Sequence, residues 1–180
     1  MELFWLNLVT DILPALGLAL AEPRGDVMAR APLDHRAPLF DRKELSSMLA
    51  DGGVIAGAAL AGHFLTMART GISPRTRTVT FTTLALAQIT NAWVLRDRSP
   101  NAGDALLVSE RRLEGTLAGA LGLLALPFIT PGLRRLLGVA PATFGDIALS
   151  VGLAGGAFAV GEGRRIVRLA AHRPAVPADA

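Results

Sequence analysis

Five stretches of the chain are apolar and nearly free of charge: Leu3–Ala21, Leu45–Met67, Val79–Leu95, Leu117–Thr130 and Phe144–Val160. A helix that crosses a bilayer needs roughly 20 mostly apolar residues to cover about 30 Å of hydrocarbon. The second and third stretches meet that length. The first meets it if its polar residues face protein, and the last two meet it once their flanks are included. The pattern predicts an all-α fold, a polytopic membrane helix bundle of about five transmembrane helices over residues 1–171. Residues 172–180, with Pro174 and Pro177 at the end of the last apolar run, are expected to form a disordered cytoplasmic tail.

The connections between these stretches differ in character. Glu22–Glu44 is long and of mixed charge, with Pro23, Pro32 and Pro38, whereas Ala68–Thr78 is short. Arg96–Gly115 is polar, and Pro131–Thr143 is short and carries Pro131, Gly132 and Pro141. With five spans the termini fall on opposite sides. Loop 22–44, loop 96–114 and the C-terminal region share one side and hold thirteen Arg and Lys residues; the other side holds Arg69, Arg75, Arg77, Arg134 and Arg135. Positive charge stays on the cytoplasmic side, so the N-terminus is expected outside and the C-terminus inside.

Composition supports a membrane location and narrows the chemistry. Of 180 residues, 51% are hydrophobic and only 18% charged, and mean hydropathy is +0.43. With no cysteine, disulfides and thiolate metal sites are excluded. His35, His63 and His172 share no ligand-like spacing. The calculated pI of 10.8 raises nucleic acid as a partner. Basic clusters split by membrane-length segments, with two Trp and no Tyr, argue against it. The expected partner is the lipid bilayer, with no nucleic acid.

The first segment has two readings. Ala19–Leu20–Ala21 before Glu22 resembles a signal-peptide cleavage site. Yet Glu2 stands where a basic residue belongs, and Asn7, Thr10 and Asp11 interrupt the apolar core. A retained span is therefore the expectation. With no basic residue before that span, the chain reads as one that continues an arrangement begun elsewhere.

Asn7, Thr10 and Asp11 stand at i, i+3 and i+4, which puts them on one helical face. A carboxylate inside a span costs several kcal/mol unless it faces the bundle or an aqueous cavity (about 2.5–3.5 on insertion scales). Together the trio offers an amide oxygen, a hydroxyl and a carboxylate, which are ligand types that hard cations take. Pro14 lacks the N–H that would pair with the Thr10 carbonyl, so it interrupts the helix beside the trio. The alternative is that Asn7 and Thr10 only join helices and Asp11 lies at an interface.

The string Trp5–Leu6–Asn7–Leu8–Val9–Thr10–Asp11–Ile12–Leu13–Pro14–Ala15–Leu16–Gly17–Leu18 resembles the sixth transmembrane helix of calcium-type P-type cation-transporting ATPases. Later features agree in order. Glu22–Pro23 with Met28–Ala29–Arg30–Ala31–Pro32 is similar to a loop motif of that family, with Ala31 in place of a proline. Pro38–Leu39–Phe40 resembles the entry to the seventh helix, and Gln88–Ile89–Thr90–Asn91–Ala92 resembles the eighth. Gly161–Glu162–Gly163–Arg164–Arg165 with Arg168 resembles the inner end of the tenth.

The resemblance implies that Asn7, Thr10 and Asp11 are cation ligands. Gln88 is a weaker candidate, because it stands where two-calcium pumps carry a glutamate; an interhelical hydrogen-bonding role is the other reading. The ion implied is Ca²⁺, Mg²⁺ or Mn²⁺. Calcium takes about 6–8 oxygens, so a partner polypeptide supplying the remaining helices is expected. The chain holds no Asp-Lys-Thr-Gly phosphorylation motif and no P-loop. No catalytic residue or bound cofactor is therefore expected in it, and no ATPase activity from the chain alone. ATP and Mg²⁺ would act only through domains it lacks.

The function so implied is the C-terminal transmembrane portion of a pump, truncated or split, in a bacterial plasma membrane. The alternatives are a scaffold or regulator derived from such a pump, or a non-functional remnant. Small residues in Gly52–Ala59 and Gly152–Gly156 are expected to pack the bundle, unless they reflect biased composition. His63 is expected to bond between helices, and Asp51 to end a helix in solvent or pair with a neighbour. Trp5 and Trp93 are expected at interfaces or packed on protein. Glu162 with Arg164 and Arg165 marks the inner boundary.

Overall fold

The apolar stretches become helical rods whose ends are set by proline, glycine and threonine. A computed structural model describes residues 2–19, 42–95 and 106–171. The motifs at Glu22–Pro23, Met28–Pro32 and Pro38–Phe40, and the tail 172–180, lie outside the described residues. In chain order the elements are α1 (Glu2–Asn7), a π-helical turn (Leu8–Ile12), α2 (Leu13–Ala19), α3 (Arg42–Thr70), α4 (Pro74–Leu95), α5 (Leu106–Ile129), α6 (Pro131–Leu137) and α7 (Phe144–Ala171). No strand occurs among the described residues. The result is an all-α membrane helix bundle.

By length and composition Leu45–Thr70 and Phe144–Arg164 suffice to cross a membrane, and Glu114–Ile129 with Pro131–Leu137 forms a pair bent by 95°. The bend follows from sequence. Pro131 disfavours the helical region for the residue before it, and Thr130 is extended at φ −100° and ψ 108°. α6 then stops at Gly138, which takes the left-handed conformation at φ +64°. There its N–H reaches the Arg135 carbonyl at 3.3 Å, and the Val139 N–H reaches that of Arg134 at 3.0 Å.

α4 differs from expectation. It is long enough to span but is not apolar enough by composition, because threonine recurs at 76, 78, 80, 82, 83 and 90. Its position explains this. α4 packs against α3 and α7 and also touches α5 and the π-turn, so little of it has to be compatible with lipid. Hydroxyls on α4 return to carbonyls four residues back: Thr78 to Pro74 at 3.1 Å, Thr80 to Thr76 at 2.8 Å and Thr90 to Leu86 at 2.9 Å. Such bonds satisfy a polar side chain within its own helix.

Two groupings share α4. On one side α3, α4 and α7 meet along a seam. The inward residues recur at helical spacing: Ala59, Gly62 and Thr66 on α3, and Asp146, Ser150 and Ala154 on α7. A β-carbon on Gly62 would lie 3.0 Å from the Thr83 hydroxyl, 3.4 Å from Leu153 and 3.5 Å from Val79. Gly62 is therefore the close-approach glycine of the seam. On the other side α2 packs on α5, and Val9 of the π-turn sits in a core with Ala85, Ile89, Ala92, Leu117, Ala120 and Leu124.

The small-residue surfaces are a correction. Gly52, Gly53 and Gly57 on α3 and Gly152, Gly155 and Gly156 on α7 are exposed. A β-carbon at any of them would meet nothing within 4 Å. Only Ala59 and Ala154 of these stretches are buried. The seam takes one stripe per helix, and the glycines fall on the opposite face.

Candidate cation site and its surroundings

The π-turn lies where the polar trio and the proline meet. Pro14 is the second residue of α2 and supplies no N–H to the Thr10 carbonyl, so the ordinary i→i−4 ladder is interrupted there. A π-turn closes i→i+5 rings instead, an arrangement frequent at functional sites. Val9 is fully enclosed and Thr10 is 7% exposed, while Asn7 and Asp11 are exposed. The trio thus straddles the edge of the buried face instead of pointing one way.

The Thr10 hydroxyl lies 2.9 Å from the Leu6 carbonyl and 3.0 Å from Asp11 Oδ1. A hydroxyl carries one proton and two lone pairs. It can therefore donate to either oxygen, and its own lone pairs stay available. This pairs a carboxylate with an adjustable neutral oxygen on an opened helix. Among the described residues no cluster of three His, Cys, Asp or Glu is placed to hold a metal.

Gln88 is half-buried on α4, one turn from Ala85 and next to Ile89 in the core. Its Oε1 is enclosed and has no hydrogen-bond partner among the described residues. Trp5 Nε1 is in the same condition. An enclosed unsatisfied acceptor costs about 1–3 kcal/mol, so this oxygen suits a cation, a water or a donor from another segment. Trp5 and Trp93 both pack on the core, in keeping with the protein-packing alternative.

Three polar contacts outside this corner join helices within the bundle. His63 Nδ1 lies 3.0 Å from the Thr80 hydroxyl, joining α3 to α4. That hydroxyl also lies 2.8 Å from the Thr76 carbonyl. Asp51 pairs with Arg164 at 3.2 Å, linking α3 to α7. At the other end Arg75 grips Asp146 Oδ2 at 2.7 and 3.2 Å and the Thr143 hydroxyl at 2.9 Å. Asp146 also accepts from the Thr143 N–H and hydroxyl, each at 2.8 Å. Sequence reasoning missed the Arg75–Asp146 and Gly62 contacts, because their partners lie on helices distant in the chain.

Fold and site together define an integral membrane helix bundle whose first helix opens at a carboxylate. The family described as "Cation transporting ATPase, C-terminus" matches residues 1–167, and the chain belongs to that family. It is 28% identical over 153 residues to a calcium-transporting ATPase of Bacillus subtilis, covering 84% of this chain and 17% of that protein. A calcium-transporting ATPase of Listeria monocytogenes is 29% identical over 157 residues, covering 86% and 17%. The endoplasmic reticulum calcium ATPase srcA of Aspergillus fumigatus is 42% identical over 62 residues, covering 34% and 6%. The resemblance read from the first helix is borne out. The chain spans about 17% of the length of the two bacterial relatives.

Proposed function

We propose that this chain is the C-terminal transmembrane part of an ATP-driven P-type cation pump, and that Asn7, Thr10 and Asp11 supply part of its cation site. The observation that carries this reading is the π-turn at Leu8–Ile12, which leaves the Asp11 carboxylate on the outside of the bundle with Thr10 Oγ1 3.0 Å away. A carboxylate at bilayer depth calls for a polar counterpart. In this reading the counterpart is the cation together with ligands from segments outside this chain, on the same polypeptide or on a partner. Gln88 Oε1 is a secondary contributor. Calcium is the favoured ion because the relatives are calcium-transporting ATPases and the donors are hard oxygens. A bacterial plasma membrane is the favoured location, since two of those relatives are bacterial.

The test is to co-express this chain with segments supplying the remaining helices and the ATP-hydrolysing domains, then measure cation-stimulated ATPase activity. Activity should require this chain and collapse with Asp11→Asn. Activity that ignores Asp11, or appears without the chain, rejects the site.

A further inference from the structure

Charge distribution places Arg69, Arg75, Arg77, Arg134 and Arg135 on the outer side, where basic residues are normally scarce. Three of them, Arg75, Arg134 and Arg135, line one cavity of about 470 Å³. The rest of its wall comes from Ser73 and Pro74 at the start of α4 and from the turn that follows α6.

These walls are built. The 95° bend swings α6 across the end of α5, and Gly138 closes that helix in the left-handed conformation. The Ala140 N–H then donates to the buried Thr78 hydroxyl at 2.9 Å, pinning the turn to α4. Arg75 is held by Asp146 and Thr143. Asp146 therefore answers Arg75, whereas among the described residues no ion pair engages Arg134 or Arg135. The N-terminal end of α4, 22 residues long, adds its positive dipole to the same wall. Exposed apolar side chains adjoin these residues along the chain: Ile72 beside Ser73 is 95% exposed, Leu136 beside Arg135 63%, Phe144 beside Thr143 87%, and Ile129 two residues before α6 76%.

We propose that this cavity binds the phosphate of an anionic lipid. The guanidinium groups of Arg134 and Arg135 present paired N–H donors that match phosphate oxygens. The exposed Ile72, Ile129, Leu136 and Phe144 lie against acyl chains. An anion free in water would have no use for that apolar surround, so the lipid is the ligand.

The full chain, purified in zwitterionic detergent, is titrated with phosphatidylglycerol, with phosphatidylcholine of the same chain length, and with inorganic phosphate. Saturable binding is expected for phosphatidylglycerol. Arg134→Gln with Arg135→Gln should weaken it about thirtyfold, and Arg69→Gln, outside the cavity, should leave it unchanged. If the double variant does not purify folded, Arg135→Gln alone, at an exposed side chain, should weaken binding about fivefold. Equal binding of phosphatidylcholine, displacement of the lipid by inorganic phosphate at similar concentration, or unaltered lipid affinity in the arginine variants overturns the proposal.

Discussion

The α3–α4–α7 seam and the corner formed by α1, the π-turn, α2 and α5 treat charge in opposite ways. In the seam two carboxylates each meet a cation from another helix: Arg75 for Asp146 at 2.7 Å and Arg164 for Asp51 at 3.2 Å. Side chains of α4 and α7 close onto α3 at Gly62. Small hydroxyls on these helices are enclosed too, with Thr66, Thr82, Thr83 and Ser150 lacking partners among the described residues. The corner packs an apolar core around Val9 yet leaves Asp11 and Asn7 facing outward and Gln88 Oε1 enclosed without a partner. The lesson is that the seam pairs its charges within the bundle, whereas the corner leaves its carboxylate exposed, as the proposed shared cation site requires.

Four substitutions probe that contrast. On the proposed function, Asp11→Asn should have the largest effect, lowering the cation affinity of the assembled pump by about 100-fold, as loss of one charged partner from a dehydrated cation site does. Cation titration of ATPase activity reads it, and the thermal stability of the isolated chain should hardly move. A large drop in that stability would make Asp11 structural and erase the distinction between the halves.

Gly62→Leu should destabilise the seam by about 1–3 kcal/mol, because its side chain must displace Thr83, Val79 and Leu153. Thermal unfolding in detergent measures this, with Gly57→Leu as the matched control. Nothing lies within 4 Å of the β-carbon position at Gly57, so that change should stay within about 0.5 kcal/mol. Equal losses at the two positions would mean that the exposed glycine face is packed.

Arg75→Ala should cost about 1–2 kcal/mol. The figure sits below that for a fully buried pair because the arginine side chain is 37% exposed while Asp146 is 12% exposed. Adding Asp146→Ala should recover part of the loss, and additive losses would deny the pairing. Thr10→Val should be the mildest for the fold, within about 1 kcal/mol, since its hydroxyl reaches only the Leu6 carbonyl and the adjacent Asp11 carboxylate, both on its own stretch of chain. In the assembled pump it should still weaken the cation response several-fold, and an unchanged response would remove Thr10 from the proposed ligands.

Much of the architecture was legible in the residues because bilayers impose a one-dimensional rule. Apolar runs of spanning length, the prolines between them and the Trp5–Leu18 string lead to a helical membrane bundle and to its family without any tertiary information. The interruption beside Asp11 was also local, since it depends on the missing N–H of Pro14 and the carbonyl of Thr10.

What the residues left open was decided by which face each helix turns inward. Gly52–Gly57 and Gly62 look alike as sequence, yet only Gly62 meets other helices, because one stripe per helix fits the seam. α4 reads as a membrane span, but its threonines are tolerable because it packs between α3 and α7 and its own carbonyls accept from the hydroxyls of Thr78, Thr80 and Thr90. Arg75 and Asp146, 71 residues apart, become partners only when α4 and α7 start at the same end of the bundle. Local chemistry along the chain settles where helices form and break. Which polar groups are satisfied within the chain, and which face outward, depends on contacts between distant segments that only the folded bundle creates.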